Sequence, residues 1–190
     1  METNSLNGQL RKTKITSPVA RRNHWPPSLI ARLILCPAYV SMPFQPEDRF
    51  NFICLHAYTM TRVITRHLRM GFLLEAIEKR INGCRVDLVF KTPLGTTRVN
   101  EVKSARELRE VHRIQAALYW QPSFDEIVLS NGREDIILPL EYVRNAREQA
   151  EAARNLLLNR PDEAASTYSP NKDICSTCAN VSCPFCETED

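Results

Sequence analysis

The stretch Arg85-Val86-Asp87-Leu88-Val89-Phe90, a short turn, and then Arg98-Val99-Asn100-Glu101-Val102-Lys103-Ser104 decides how the rest of the chain is read. The two arms predict a β-hairpin around Thr92-Pro93-Leu94-Gly95-Thr96. Strand side chains alternate in direction, so Val99, Glu101 and Lys103 share one face and Val102 turns to the opposite, packed face. Position 94 is midway between Asp87 and Glu101, so antiparallel pairing about it sets those two carboxylates side by side. Adjacent carboxylates repel unless something positive lies between them. A hard cation such as Mg²⁺ or Mn²⁺ suits that place. Lys103 would then orient the attacking water or stabilise negative charge developing at a phosphate. An acid and a Glu-x-Lys also occur on the wet face of ordinary hairpins, so the remaining sequence has to carry the choice.

At 190 residues the chain is long enough for one domain with a real core. Leu29 to Val40, the most apolar early run, is broken by Arg32 and Pro37 and is too short for a membrane span. The start is polar and basic rather than a secretory signal, so the expectation is a cytoplasmic protein without a membrane partner. The net charge of +3 conceals opposite ends. Residues 1–35 carry Arg11, Lys12, Lys14, Arg21, Arg22 and Arg32 against Glu2, whereas residues 161–190 carry six acids against Lys172. A basic arm suits contact with a phosphate backbone, and it equally suits a solvated, flexible leader over residues 1–27.

Of the seven cysteines, Cys54 and Cys84 stand alone and are expected as buried thiols. Cys175, Cys178, Cys183 and Cys186 crowd together near the end, with Cys36 far upstream. The odd count and the clustering favour metal or iron-sulfur ligation over a disulfide framework. Thiolates serve iron-sulfur and Zn²⁺ alike, so the spacing leaves the metal open.

Along the chain, Pro26-Pro27-Ser28 opens a helix, and a second begins near Pro46-Glu47-Asp48 with Phe52, Leu55, Val63, Ile64 and Leu68 as its apolar positions. Phe72 to Ile81 is amphipathic and reads as further helix, stopped by Asn82-Gly83. After the hairpin come a helix from Ala105 to Trp120, strands at 126–129 and 135–138 joined by Asn131-Gly132, and a long helix from Tyr142 to Arg160 ended by Pro161. The order predicts an α/β fold with a central sheet flanked by helices.

Taken together, the acid-bearing strand, the Glu-x-Lys strand, the helix with Gln115-Ala116-Ala117-Leu118-Tyr119, one early cysteine and a terminal cysteine cluster resemble the CRISPR-associated RecB-like iron-sulfur exonucleases. These belong to the PD-(D/E)xK nuclease superfamily. The resemblance covers roughly Leu33 to Cys186 and rests on combined order. It implies a restriction-endonuclease-like core over residues 28–160, a cysteine-rich cap over residues 161–190, and hydrolysis of DNA, usually from single-stranded ends. It also implies a setting in spacer acquisition beside CRISPR integrase proteins.

On this resemblance Asp87, Glu101 and Lys103 match the acidic and Glu-x-Lys motifs, and Gln115 with Tyr119 matches Gln-x-x-x-Tyr. Spacing of four puts that pair on one helical face, where plain amphipathicity is the alternative. The family's histidine four residues after a glycine is replaced by Glu75. Glu75 is therefore the expected third acidic ligand, with Glu78, His56 and His67 as alternatives. The backbone carbonyl of Val102 is a further candidate ligand. Cys36, Cys175, Cys178 and Cys183 match the ligands of a 4Fe-4S cluster that would staple the chain ends together. The Cys178 to Cys183 gap is one residue shorter than usual, so Cys186 is an alternative fourth ligand. A local Cys₄ zinc site would leave Cys36 as a buried residue. Arg106, Arg109 and Arg113 are candidates to neutralise DNA phosphates, or form a solvated helix face. The rival to a nuclease is a non-catalytic nucleic-acid-binding or complex-assembly protein.

Overall fold

Five strands form one sheet in the order β1-β2-β3-β4-β5, with β1 at Leu73–Ile81, β2 at Cys84–Lys91, β3 at Thr97–Val102, β4 at Glu126–Ser130 and β5 at Asp135–Ile137. The computed structural model describes residues 25–41, 49–81, 83–175, 178 and 183. The pairs β1–β2, β2–β3 and β4–β5 are antiparallel, and β3 pairs in parallel with β4. Parallel neighbours need a crossover, supplied here by helix α3 at Glu110–Ala117. The sheet is therefore mixed and open, as the α/β reading expected.

Pairing in the predicted hairpin runs Leu88 to Asn100, Val89 to Val99 and Phe90 to Arg98, the register inferred about position 94. Helix α1 covers Pro27–Leu35 and α2 Arg49–Arg69, while α4 spans Leu140–Asn159. Val89, Val99, Ile127 and Leu129 pack with Ala31 of α1, Ile114, Ala116 and Ala117 of α3, and Val143 and Ala146 of α4. Leu88, Phe90 and Val102 pack with Val63 of α2 and with Phe72. Alternation along the strands thus buries both sheet faces, one under α2 and the other under α1, α3 and α4.

Several local expectations are corrected. Phe72 to Ile81 is not helical: Leu73–Ile81 is edge strand β1. Glycine 71, at φ 82°, turns the chain out of α2, and Ile81 pairs with Cys84, closing a two-residue hairpin. Ladder hydrogen bonds to β2 override the helical propensity of this Leu-, Glu- and Lys-containing run. Helix α3 is shorter than expected, because residues 103–109 are spent turning the chain from the sheet onto its face. On α2 the buried side is Thr59, Val63 and His67, leaving Phe52, Leu55 and Leu68 exposed. Cys54 is exposed rather than buried.

Trp25 and Pro27 are buried, and Trp25 joins Ile30, Leu33, Ala150, Leu157, Ala164 and Ala165 in a second apolar cluster. That cluster ties the start of the described chain to helix α5 at Pro161–Ser166. Most of the basic leader, residues 1–24, lies outside the described residues. Among the described residues no helix is long and apolar enough to cross a membrane.

Candidate active site

Beyond Leu88 and Asn100 the β2–β3 ladder changes character. Asp87 Oδ2 accepts the backbone N–H of Val102 at 2.7 Å, so a carboxylate takes a place that a main-chain carbonyl would hold in regular pairing. Asp87 is anchored at the end of the hairpin without using its other oxygen. Oδ1 faces Nε2 of His56, on α2, at 3.5 Å. This contact holds His56 protonated to a higher pH than usual, against the opposing effect of burial.

Glu101 is 3% exposed. Its Oε1 accepts from Lys103 Nζ at 2.7 Å and from Gln115 Nε2 at 2.6 Å. Lys103 Nζ also donates to Gln115 Oε1 at 2.8 Å, closing a three-membered ring of carboxylate, ammonium and amide. Gln115 Nε2 further approaches the Tyr119 hydroxyl at 3.4 Å. Gln115 of α3, with Tyr119 in the turn that follows the helix, is thereby set against Glu101 of β3 and Lys103 just beyond the strand's end.

The other oxygen of Glu101, Oε2, is buried and has no hydrogen-bond partner. An unsatisfied buried carboxylate oxygen is costly. Burial first, and the Asp87 charge in addition, push the Glu101 pKa up to about 7, with Lys103 opposing them. Burial likewise pushes the Tyr119 phenol up, followed by the Glu101 charge. A buried carboxylate whose ionisation is opposed by burial and by a neighbouring Asp87, and which carries an orphaned oxygen, makes a place where a cation would lower the energy.

The structure thus brings together Asp87, Glu101, Lys103, Gln115 and Tyr119, and adds His56. Glu75 is not joined to them. It is exposed at the irregularity between Leu74 and Ala76 on β1, since the helix meant to present it does not exist. Glu78, in the left-handed region at φ 51°, is exposed beside Arg85. His67 is fully buried, with Nδ1 against the Val63 carbonyl at 2.9 Å and its ring stacked on Phe90, which makes it a satisfied core histidine. Helical spacing held the signal for His56: it precedes Thr59, Val63 and His67 along the buried side of α2.

The segments that carry the cysteines are tied into the fold by hydrogen bonds. Cys36 ends α1, and the following turn is tied to the C-terminal region by Ala38 N–H donating to the Thr167 carbonyl at 3.0 Å. Short helix α6, Lys172–Cys175, is fixed by Asp173 Oδ2 accepting from Glu110 N–H at 2.8 Å. Cys36, Cys175, Cys178 and Cys183 are each partly exposed. Cys186 lies outside the described residues.

Among the described residues, no three His, Cys, Asp or Glu side chains close into a metal-holding group. The donor types nevertheless fit: oxygen and imidazole at Asp87, Glu101 and His56 suit Mg²⁺ or Mn²⁺, and thiolates suit iron-sulfur or zinc. No protein-family model and no curated protein matches the chain.

Proposed function

We propose that this protein is a metal-dependent DNA nuclease with a restriction-endonuclease-like core, acting as an exonuclease on single-stranded ends. The observation that carries the reading is the convergence of Asp87, Glu101 and Lys103 from the paired strands, with an orphaned buried oxygen on Glu101. An ordinary wet hairpin face has no reason to bury such a group.

Asp87, Glu101, His56 and the Val102 carbonyl would hold Mg²⁺ or Mn²⁺, and Glu75 drops out of the set. When bound, the cation would polarise the scissile phosphate and make water a stronger nucleophile. Lys103 brings a positive charge to the phosphate oxygen on which charge develops. Gln115 fixes the Lys103 ammonium and the Glu101 carboxylate relative to each other. Asp87 gains orientation from the Val102 N–H, so the strand end itself is part of the positioning.

For the cysteines we propose a 4Fe-4S cluster held by Cys36, Cys175, Cys178 and Cys183, with Cys186 as alternative and zinc as the other metal. The hydrogen bond from Ala38 to Thr167 supports a staple between these segments. The biological setting proposed is trimming of captured DNA ends beside CRISPR integrase proteins, and it rests on the family resemblance.

Purified protein incubated with single-stranded DNA and Mn²⁺ tests the reading. Degradation that disappears with chelator and in Asp87→Ala supports it. DNA binding without cleavage would instead favour a non-catalytic nucleic-acid-binding or assembly role.

A further inference from the structure

A cavity of about 460 Å³ lies between α1, the 105–109 loop, the first turn of α3 and α6. Its size falls in the ordinary range for small ligands. Arg32, Arg106, Arg109 and His112 contribute to its lining, with Asp173, Glu107 and Ile174. Three arginines from two separate segments therefore share the lining with two carboxylates, and the Arg32 guanidinium also donates to the Tyr39 hydroxyl. One of those carboxylates, Asp173, already accepts the Glu110 N–H.

His112 adds a specific donor. Its Nδ1 lies 3.2 Å from the Arg109 N–H, which it accepts. Burial first, then the nearby cations Lys103 and Arg109, pushes its pKa down to about 4. The ring is neutral at physiological pH, and because Nδ1 accepts, the ring proton is on Nε2. Guanidinium groups with a neutral N–H donor match the oxygen-rich geometry of a phosphate.

The cavity is also joined to the acidic cluster by the chain. Lys103 lies two residues before the lining loop, and His112 is three residues from Gln115 on α3, hence on the adjoining helical surface. Resting on the nuclease reading, we propose that this cavity binds a phosphate of the nucleic-acid strand whose neighbouring diester lies at Asp87, Glu101 and Lys103. A strand terminus and a strand interior present the same phosphate chemistry, and the two sources are separated by the test.

Arg106 is the residue to change, because its side chain is exposed on the loop. Binding of a labelled oligothymidylate, with a terminal phosphate or a terminal hydroxyl, is followed by fluorescence anisotropy in EDTA, with circular single-stranded DNA as competitor. Arg106→Ala should weaken binding about tenfold, whereas Arg80→Ala, exposed on edge strand β1, should weaken it less than about twofold. Arg106→Glu should weaken it further. If the loss is confined to the phosphorylated strand, the cavity takes a terminal phosphate; if linear and circular strands lose affinity alike, it takes an internal one. No measurable binding, or a loss no greater than that of Arg80→Ala, overturns the proposal. Metal-dependent cleavage without the Arg106 effect would remove the cavity and leave the nuclease reading. The Arg106 effect without cleavage would do the reverse.

Discussion

Replacing Glu101 with glutamine separates the cost of burying this charge from its use. In Glu101→Gln the amide oxygen can still accept from Lys103 and Gln115, while an N–H₂ takes the position of the unpartnered Oε2. A carboxyl pKa moved from 4.5 up to about 7 corresponds to about 3–4 kcal/mol lost on ionisation, at roughly 1.4 kcal/mol per pH unit. Because the folded value is the higher one, the protonated group's contribution to stability is fully present below pH 4.5 and disappears as pH rises through about 7. Lys103 loses its counter-charge in the variant, which reduces the net gain to about 1–2 kcal/mol. Urea unfolding in EDTA should therefore find Glu101→Gln more stable than wild type by this amount at about pH 8, with the gap closing at about pH 4.5. Added Mn²⁺ should stabilise only the wild type appreciably. A variant less stable than wild type at the higher pH, or a gap independent of pH, would refute the reasoning.

The remaining predictions use other parts of the molecule. The raised His56 pKa makes its contact with Asp87 stabilising below pH 6.5 and progressively lost as pH climbs through the folded value; His56→Ala should accordingly destabilise the metal-free protein more at acid than at alkaline pH, by urea midpoint. Gln115→Leu removes both bonds that align Lys103 and Glu101, and single-turnover cleavage should slow at least about tenfold with binding in EDTA little changed. Phe90, fully buried between His67 and Phe72, should cost ~3–5 kcal/mol when changed to alanine, by chemical denaturation. Anaerobically purified protein should be brown, and Cys36→Ala or Cys175→Ala should lose colour and iron together; colourless wild type with stoichiometric zinc would defeat the iron-sulfur proposal.

What could be read directly was whatever depended on local period. The Asp87–Glu101 juxtaposition follows from counting outward from Leu94, because antiparallel register is fixed by the turn. The meeting of Gln115 with Glu101 needed only a helix following the strand and a spacing of four. Leu73–Ile81 misled because Leu, Ala, Glu, Lys and Arg favour helix in isolation, and an exposed edge strand lacks a clear alternating pattern. Yet Asn82-Gly83 was a hairpin signal as much as a helix stop. His56 was the harder case. Its nearness to Asp87 depends on how α2 lies across the sheet, and Phe52, Leu55 and Leu68 suggested a different buried side from the one observed. The cysteines show the limit of spacing alone: Cys175-x-x-Cys178 followed by Cys183 and Cys186 suits iron-sulfur and zinc alike.

The most direct measurement is the rate at which single-stranded DNA is degraded in Mn²⁺ by wild type, Asp87→Ala and Lys103→Ala, each checked for folding by circular dichroism. The account predicts rapid loss of substrate with wild type and none above background with either folded variant. Equal degradation by all three would contradict the assigned site.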